Sequence, residues 1–172
     1  MTNPLTRVRK KGAVVLLALF CGQGATVLPA NAQATLRIGA IPDQNPERLN
    51  RRYDQLAAEL SDKLKVPVRY VPVSNYPAAV SAFRTGSLDL VWFGGLTGVQ
   101  ARLQTPAAQV LAQREIDANF NSVFIANTSA GFQPIRSIDG LKALNGKRFT
   151  FGSESSTSGR LMPQHFLAQA GV

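Results

Sequence analysis

Hydroxyl side chains gathered at the start of a helix can hold an anion. The run Ser153-Glu154-Ser155-Ser156-Thr157-Ser158-Gly159 follows the apolar Phe149-Thr150-Phe151-Gly152 and leads into a helical pattern from Ser158 to Ala170. Free backbone N–H groups and the positive end of the helix dipole attract an oxyanion there, and Ser156, Thr157 and Ser158 add donors without adding charge. The same residue types are also ordinary N-caps and turn formers, so the run by itself leaves both roles open.

Covalent chemistry has little to work with. The one histidine, His165, lies inside the helix that follows the hydroxyl run, where it reads as a surface or packing residue. Asp89 has no second acid or nucleophile beside it, and Arg160 reads as a helix-surface cation one step past the run. Nucleophilic catalysis needs a nucleophile and a base in one context, and none is recognisable. A binding protein is expected rather than an enzyme, with no metal and no cofactor.

The address of the chain is legible at its start. Arg7, Arg9, Lys10 and Lys11 precede the apolar run from Ala13 to Phe20, and small residues follow to Leu28-Pro29-Ala30-Asn31-Ala32-Gln33. This is the pattern of a secretory signal peptide over residues 1–32, with Ala30 and Ala32 as the cleavage signal. The apolar core is short of the ~20 residues a spanning helix needs. Phe20 before Cys21 departs from a lipoprotein signal, so a periplasmic protein without a lipid anchor is expected. Cys21 is the only cysteine of the 172 residues, which leaves the mature chain without a disulfide or a thiolate. Of nineteen basic residues four lie in the leader, leaving fifteen against ten acidic and a net charge of +5. These charges are dispersed, which argues against nucleic acid and is compatible with a small anionic ligand.

The elements that must position the hydroxyl run alternate in type. Leu36 to Ile41 reads as a buried strand stopped by Pro42, and Asn45 with Pro46 starts a helix whose apolar positions include Leu49, Tyr53, Leu56, Ala57, Leu60 and Leu64. Val66 to Val71 is a second strand and Ser74-Asn75-Tyr76-Pro77 opens a second helix. Leu88 to Phe93 is a third strand, stopped by Gly94-Gly95 before a helix over Thr97 to Leu103. Further strands are expected at Val110 to Gln113, Ser122 to Ala126 and Arg148 to Phe151, and a short helix at Ile138 to Leu144. Alternation of strands and helices predicts an α/β sheet, mostly parallel, whose ligands gather at the carboxyl ends of the strands. Residues 33–127 read as a first lobe. Residues 128–172 read as the start of a second, incomplete one, which implies a truncated chain.

Several segments together carry a family resemblance: Ile38-Gly39-Ala40-Ile41-Pro42, Asn75-Tyr76-Pro77-Ala78-Ala79-Val80, Gly86-Ser87-Leu88-Asp89-Leu90-Val91-Trp92-Phe93-Gly94-Gly95, and Phe151-Gly152 through Ser155-Ser156-Thr157-Ser158-Gly159 to Pro163. From Leu36 onward the chain resembles the periplasmic solute-binding proteins of phosphate, phosphite and phosphonate ABC importers. Its wording is similar to members proposed to carry selenate or a related oxyanion. The resemblance implies a two-lobed, Venus-flytrap protein of type II-like form, with the ligand between the lobes and closure read by membrane permease subunits. It implies a monomer.

Ser156, Thr157 and Ser158 would then hold the oxyanion, Tyr76 would be a cleft tyrosine of the first lobe, and Phe93 an aromatic position after the third strand. Thr97 takes the place of a serine at the following helix start. Phe93 lacks the phenol hydroxyl of some members, Glu154 puts a carboxylate near the anion, and His165 does not match the family's second-lobe histidine. A ligand-sensing module for a membrane receptor, or an enzyme on the same scaffold, would be the competing functions.

Overall fold

A computed structural model describes residues 33–172. The signal peptide expected over residues 1–32 lies outside the described residues. Among the described residues no helix is long and apolar enough to cross a membrane.

The amino-terminal part is built on a parallel sheet of three strands, ordered β2-β1-β3. β1 (Leu36–Ala40) is central, β2 (Val68–Tyr70) flanks it on one side and β3 (Leu90–Trp92) on the other. Ile38 aligns with Tyr70 across one edge and with Leu90 across the other, while Ala40 aligns with Trp92. The central place follows from sequence: Ile38, Gly39 and Ala40 are all buried, as a strand covered on both faces requires. Gly39 makes that possible, because a Cβ there would lie 2.5 Å from Leu88 Cδ1.

Three helices connect and cover the strands. α1 (Pro46–Leu64) starts where Asn45 Oδ1 accepts from the Arg48 amide at 2.9 Å, with Pro at the first helical position. It ends at Lys65, whose φ of 56° is the left-handed cap conformation. Its buried positions Leu49, Tyr53 and Ala57 recur every four residues and so form one stripe. Leu49 and Tyr53 pack with Ala40, Tyr70 and Trp92. α2 (Tyr76–Arg84) repeats the device, with Asn75 Oδ1 accepting from the Ala78 amide at 2.8 Å. α3 (Gly95–Gln104) follows β3 directly and packs against α2. Arg37 and Asp89 tie the sheet at its entry, through two side-chain bonds of 2.9 and 2.8 Å and a bond from the Arg37 amide.

Beyond α3 the expected strands at 110–113, 122–126 and 148–151 are not formed. A strand exists only with a partner ladder, and none of these segments pairs with the free edges of β2 or β3. Their β-forming side chains stay exposed, Val123 at 81% and Ile125 at 91%. The short helix expected near Ile138 is a 3₁₀ turn over Asp139–Leu144. The helix expected from Ser158 is divided into a π-type turn over Thr157–Leu161 and an α-helix, α4 (Met162–Ala170), with Pro163 at the junction. Leu141, Leu167 and Ala170 form a second buried cluster, joined by Phe124, Leu144, Phe151 and Phe166.

Candidate functional site

The hydroxyl run sits where three helical starts meet. Ser156 is the N-cap of the π-type turn, its Oγ accepting from the Gly159 amide at 3.0 Å. Its carbonyl accepts from both the Arg160 and Leu161 amides, which is what widens this turn. Gly152 and Gly159 close the base of the loop, bonded backbone to backbone at 2.7 Å, and a Cβ on Gly152 would lie 3.2 Å from the Gly159 Cα.

Thr157 reaches across to α3. Its Oγ1 accepts from the Leu96 amide at 2.7 Å, although the two residues are 61 apart in sequence. Tyr76, the first residue of α2, brings its phenol near Ser156. Burial raises the Tyr76 pKa above its ordinary value, the Asp43 carboxylate adds to the rise, and the nearby Ser156 hydroxyl works against it. Tyr76 therefore keeps its proton at neutral pH and can donate. Ser158 occupies the same turn. Among the described residues its hydroxyl, its amide and the amides of Thr157 and Gly95 have no protein acceptor. Donors left open at helix starts are what an oxyanion needs.

The remaining expected site residues lie behind this point. Thr97 is fully buried at 0% exposure, and its Oγ1 accepts from the Gly94 amide at 3.0 Å and donates to the Gly94 carbonyl at 3.2 Å. It braces the start of α3. Phe93 sits at the end of β3 and meets Phe83 of α2 edge to face, ring centroids 5.6 Å apart. Trp92 takes the other face of the sheet, beneath the Arg114 guanidinium at 5.1 Å, as the alternation of a strand requires. Glu154 and His165 are exposed. Arg160 lies over the Phe151 ring at 4.3 Å and donates to Gln164, which commits it to the helix surface. The Leu96 amide and Gly95 were not among the expected site residues. Their signal is a helix start written Gly94-Gly95, which supplies no capping side chain of its own.

A cavity of about 520 Å³ lies elsewhere, between the 130–137 segment and the Asp139–Leu144 turn. It holds Arg136 and Lys147 but no cluster of groups able to do chemistry.

Residues 38–172 match the family described as the ABC transporter, phosphonate, periplasmic substrate-binding protein. The chain belongs to that family. It is 61% identical to the probable ABC transporter phosphite binding protein PhnD1 of Prochlorococcus marinus, over 80% of this chain and 46% of that protein. It is 30% identical to the phosphate-import protein PhnD of Mycolicibacterium smegmatis, over 92% of this chain and 50% of that one. The solved structure of Prochlorococcus marinus PhnD1 in complex with methylphosphonate superposes with a TM-score of 0.79 at 60% identity, covering 80% of this chain and 51% of that one. A binding component of a Pseudomonas aeruginosa ABC phosphonate transporter, at 23% identity and a TM-score of 0.61, shares the fold. The fold is thus the α/β fold of periplasmic binding proteins, and the family is one of transport binding components rather than enzymes. The chain spans about half the length of the relatives it matches.

Proposed function

We propose that the protein is the extracytoplasmic solute-binding component of an ABC importer and captures a small tetrahedral oxyanion of the phosphonate, phosphite and phosphate class, with methylphosphonate and phosphite foremost. Ser156, Thr157 and Ser158 hold the oxyanion oxygens and Tyr76 donates to them from the facing helix. Thr97 and Phe93 act from behind, one fixing the turn at Gly94 and the other filling the end of β3. Residues 33–127 serve as the first lobe and residues 128–172 belong to the second, with the ligand between them. Cleavage after Ala32 releases a periplasmic monomer that presents its closed form to the permease subunits.

One observation carries this proposal: at a turn whose Thr157 and Ser158 amides have no acceptor among the described residues, Thr157 is bonded to the start of α3 and Ser156 meets Tyr76 of α2, with no carboxylate bonded among them. Kinship with a phosphite binding protein supports the same class of ligand. Competition calorimetry tests it, with methylphosphonate, phosphite and phosphate set against sulfate and selenate. Saturable binding that favours the phosphorus oxyanions supports the proposal. A preference for selenate or sulfate would reassign the ligand.

A further inference from the structure

The start of α3 lacks a capping side chain, because its N-cap is Gly94 and the next residue is Gly95. The second helical amide, Leu96, is nevertheless bonded, at 2.7 Å, to a hydroxyl 61 residues away. Space has been left for that hydroxyl. A Cβ on Gly95 would lie 3.0 Å from Thr157 Oγ1, with Thr157 Cγ2 and Cβ at 3.6 and 3.7 Å. Thr97 holds the turn in shape from within by bonding Gly94 at both its amide and its carbonyl. A Thr hydroxyl has one proton and two lone pairs, so accepting from Leu96 leaves the proton to donate away from α3.

We propose that the Leu96 amide is a positioning group: it fixes the Thr157 hydroxyl as a donor toward the ligand and locks the 156–158 turn onto the start of α3. Gly95 is the residue that permits this approach. The partial positive charge of the α3 N-terminus then reaches the bound anion through the polarised Thr157 hydroxyl as well as through space. The ligand half of this statement rests on Thr157 being an oxyanion contact, while the lock stands on protein atoms alone.

Amide hydrogen exchange at Leu96, followed by NMR on the unliganded protein, decides the lock. Thr157→Val keeps the shape of the side chain and removes the acceptor, and Gly95→Ala displaces the acceptor without removing any hydroxyl of the turn. Both should raise the Leu96 exchange rate at least tenfold, whereas Thr157→Ser should restore slow exchange. Gly98→Ala is the folding control, since its Cβ would meet Phe93 at an ordinary 3.6 Å. Equal Leu96 exchange in the parent, Thr157→Val and Gly95→Ala would overturn the lock.

Methylphosphonate titration decides the positioning. Gly95→Ala should weaken binding about tenfold while Gly98→Ala leaves it unchanged. Unchanged affinity in Gly95→Ala, with Leu96 exchange accelerated, would overturn the positioning role and leave the oxyanion assignment standing. A parent protein that binds no oxyanion would overturn that assignment and the positioning with it, while the exchange result would still decide the lock.

Discussion

At the scale of single residues, the Ser156 and Thr157 hydroxyls do two things at once. Each accepts from a backbone amide, Gly159 or Leu96; the Thr157 proton is left to offer, while the Ser156 proton faces the Tyr76 phenol oxygen. On the proposed reading Thr157→Ala removes a donor to a charged ligand, worth about 1.5–3 kcal/mol, and Ser156→Ala removes the cap of the turn and the partner of Tyr76, so each should weaken methylphosphonate binding roughly tenfold or more by calorimetry. Tyr76 gives a pH signature. Its raised pKa keeps it protonated, so affinity should hold across the neutral range on its account and fall only in alkaline solution, above the ordinary tyrosine value. Tyr76→Phe should remove that alkaline loss together with part of the affinity. Of these contacts, the hydroxyl run and Tyr76 were legible in sequence as residues at helix starts. The Thr157 to Leu96 bond was not, since nothing local joins positions so far apart. The only trace is the bare Gly94-Gly95 at the start of α3.

At the scale of elements, what the sequence revealed depended on whether an element is stabilised locally. α1 and α2 begin at Asn residues that bond the third amide, with Pro at the first helical position of α1 and the second of α2, so both starts are readable from local sequence alone. Asn45→Ala and Asn75→Ala should each cost about 0.5–2 kcal/mol in denaturant unfolding. The strands expected at 110–113 and 122–126 have the composition of strands, but propensity cannot supply a partner edge, and Val123 and Ile125 remain exposed. Burial of an ionisable group under α1 is visible only in three dimensions. Tyr53, stacked on Tyr70 at 5.0 Å, has its pKa pushed up to about 12, chiefly by burial and then by Asp43. The fold thus retains a proton that the unfolded chain releases above its ordinary pKa of 10.0, so stability on this account is level below that value and falls as pH rises toward about 12. Thermal unfolding in that window should show the loss in the parent protein and a smaller one in Tyr53→Phe. Asp89 acts at the other end of the scale. The hydrogen bond from Arg37 lowers its pKa, so its contribution is present above the ordinary carboxylate value and disappears as pH falls through the lowered one, a loss that Asp89→Asn should abolish.

At the scale of the molecule, two buried clusters organise the described residues, one between the sheet and α1 and one around α4. The hydroxyl turn joins the second cluster to the helix that follows β3: Phe151 before it packs in the α4 cluster, and Thr157 within it is bonded to the start of α3. On the proposed reading, a site at this turn would couple ligand capture to the relation between α3 and α4, which a binding component could report to a permease. Nearby genes offer a further test of that role, since a permease and an ATPase would support import and a histidine kinase would support sensing. The central claim is oxyanion capture at the 156–158 turn, and calorimetric titration of the full-length protein with methylphosphonate tests it most directly. Saturable binding at one site, weakened strongly in Ser156→Ala and Thr157→Ala, is the predicted result. Absence of binding to methylphosphonate, phosphite and phosphate alike, or affinity indifferent to both substitutions, would contradict it.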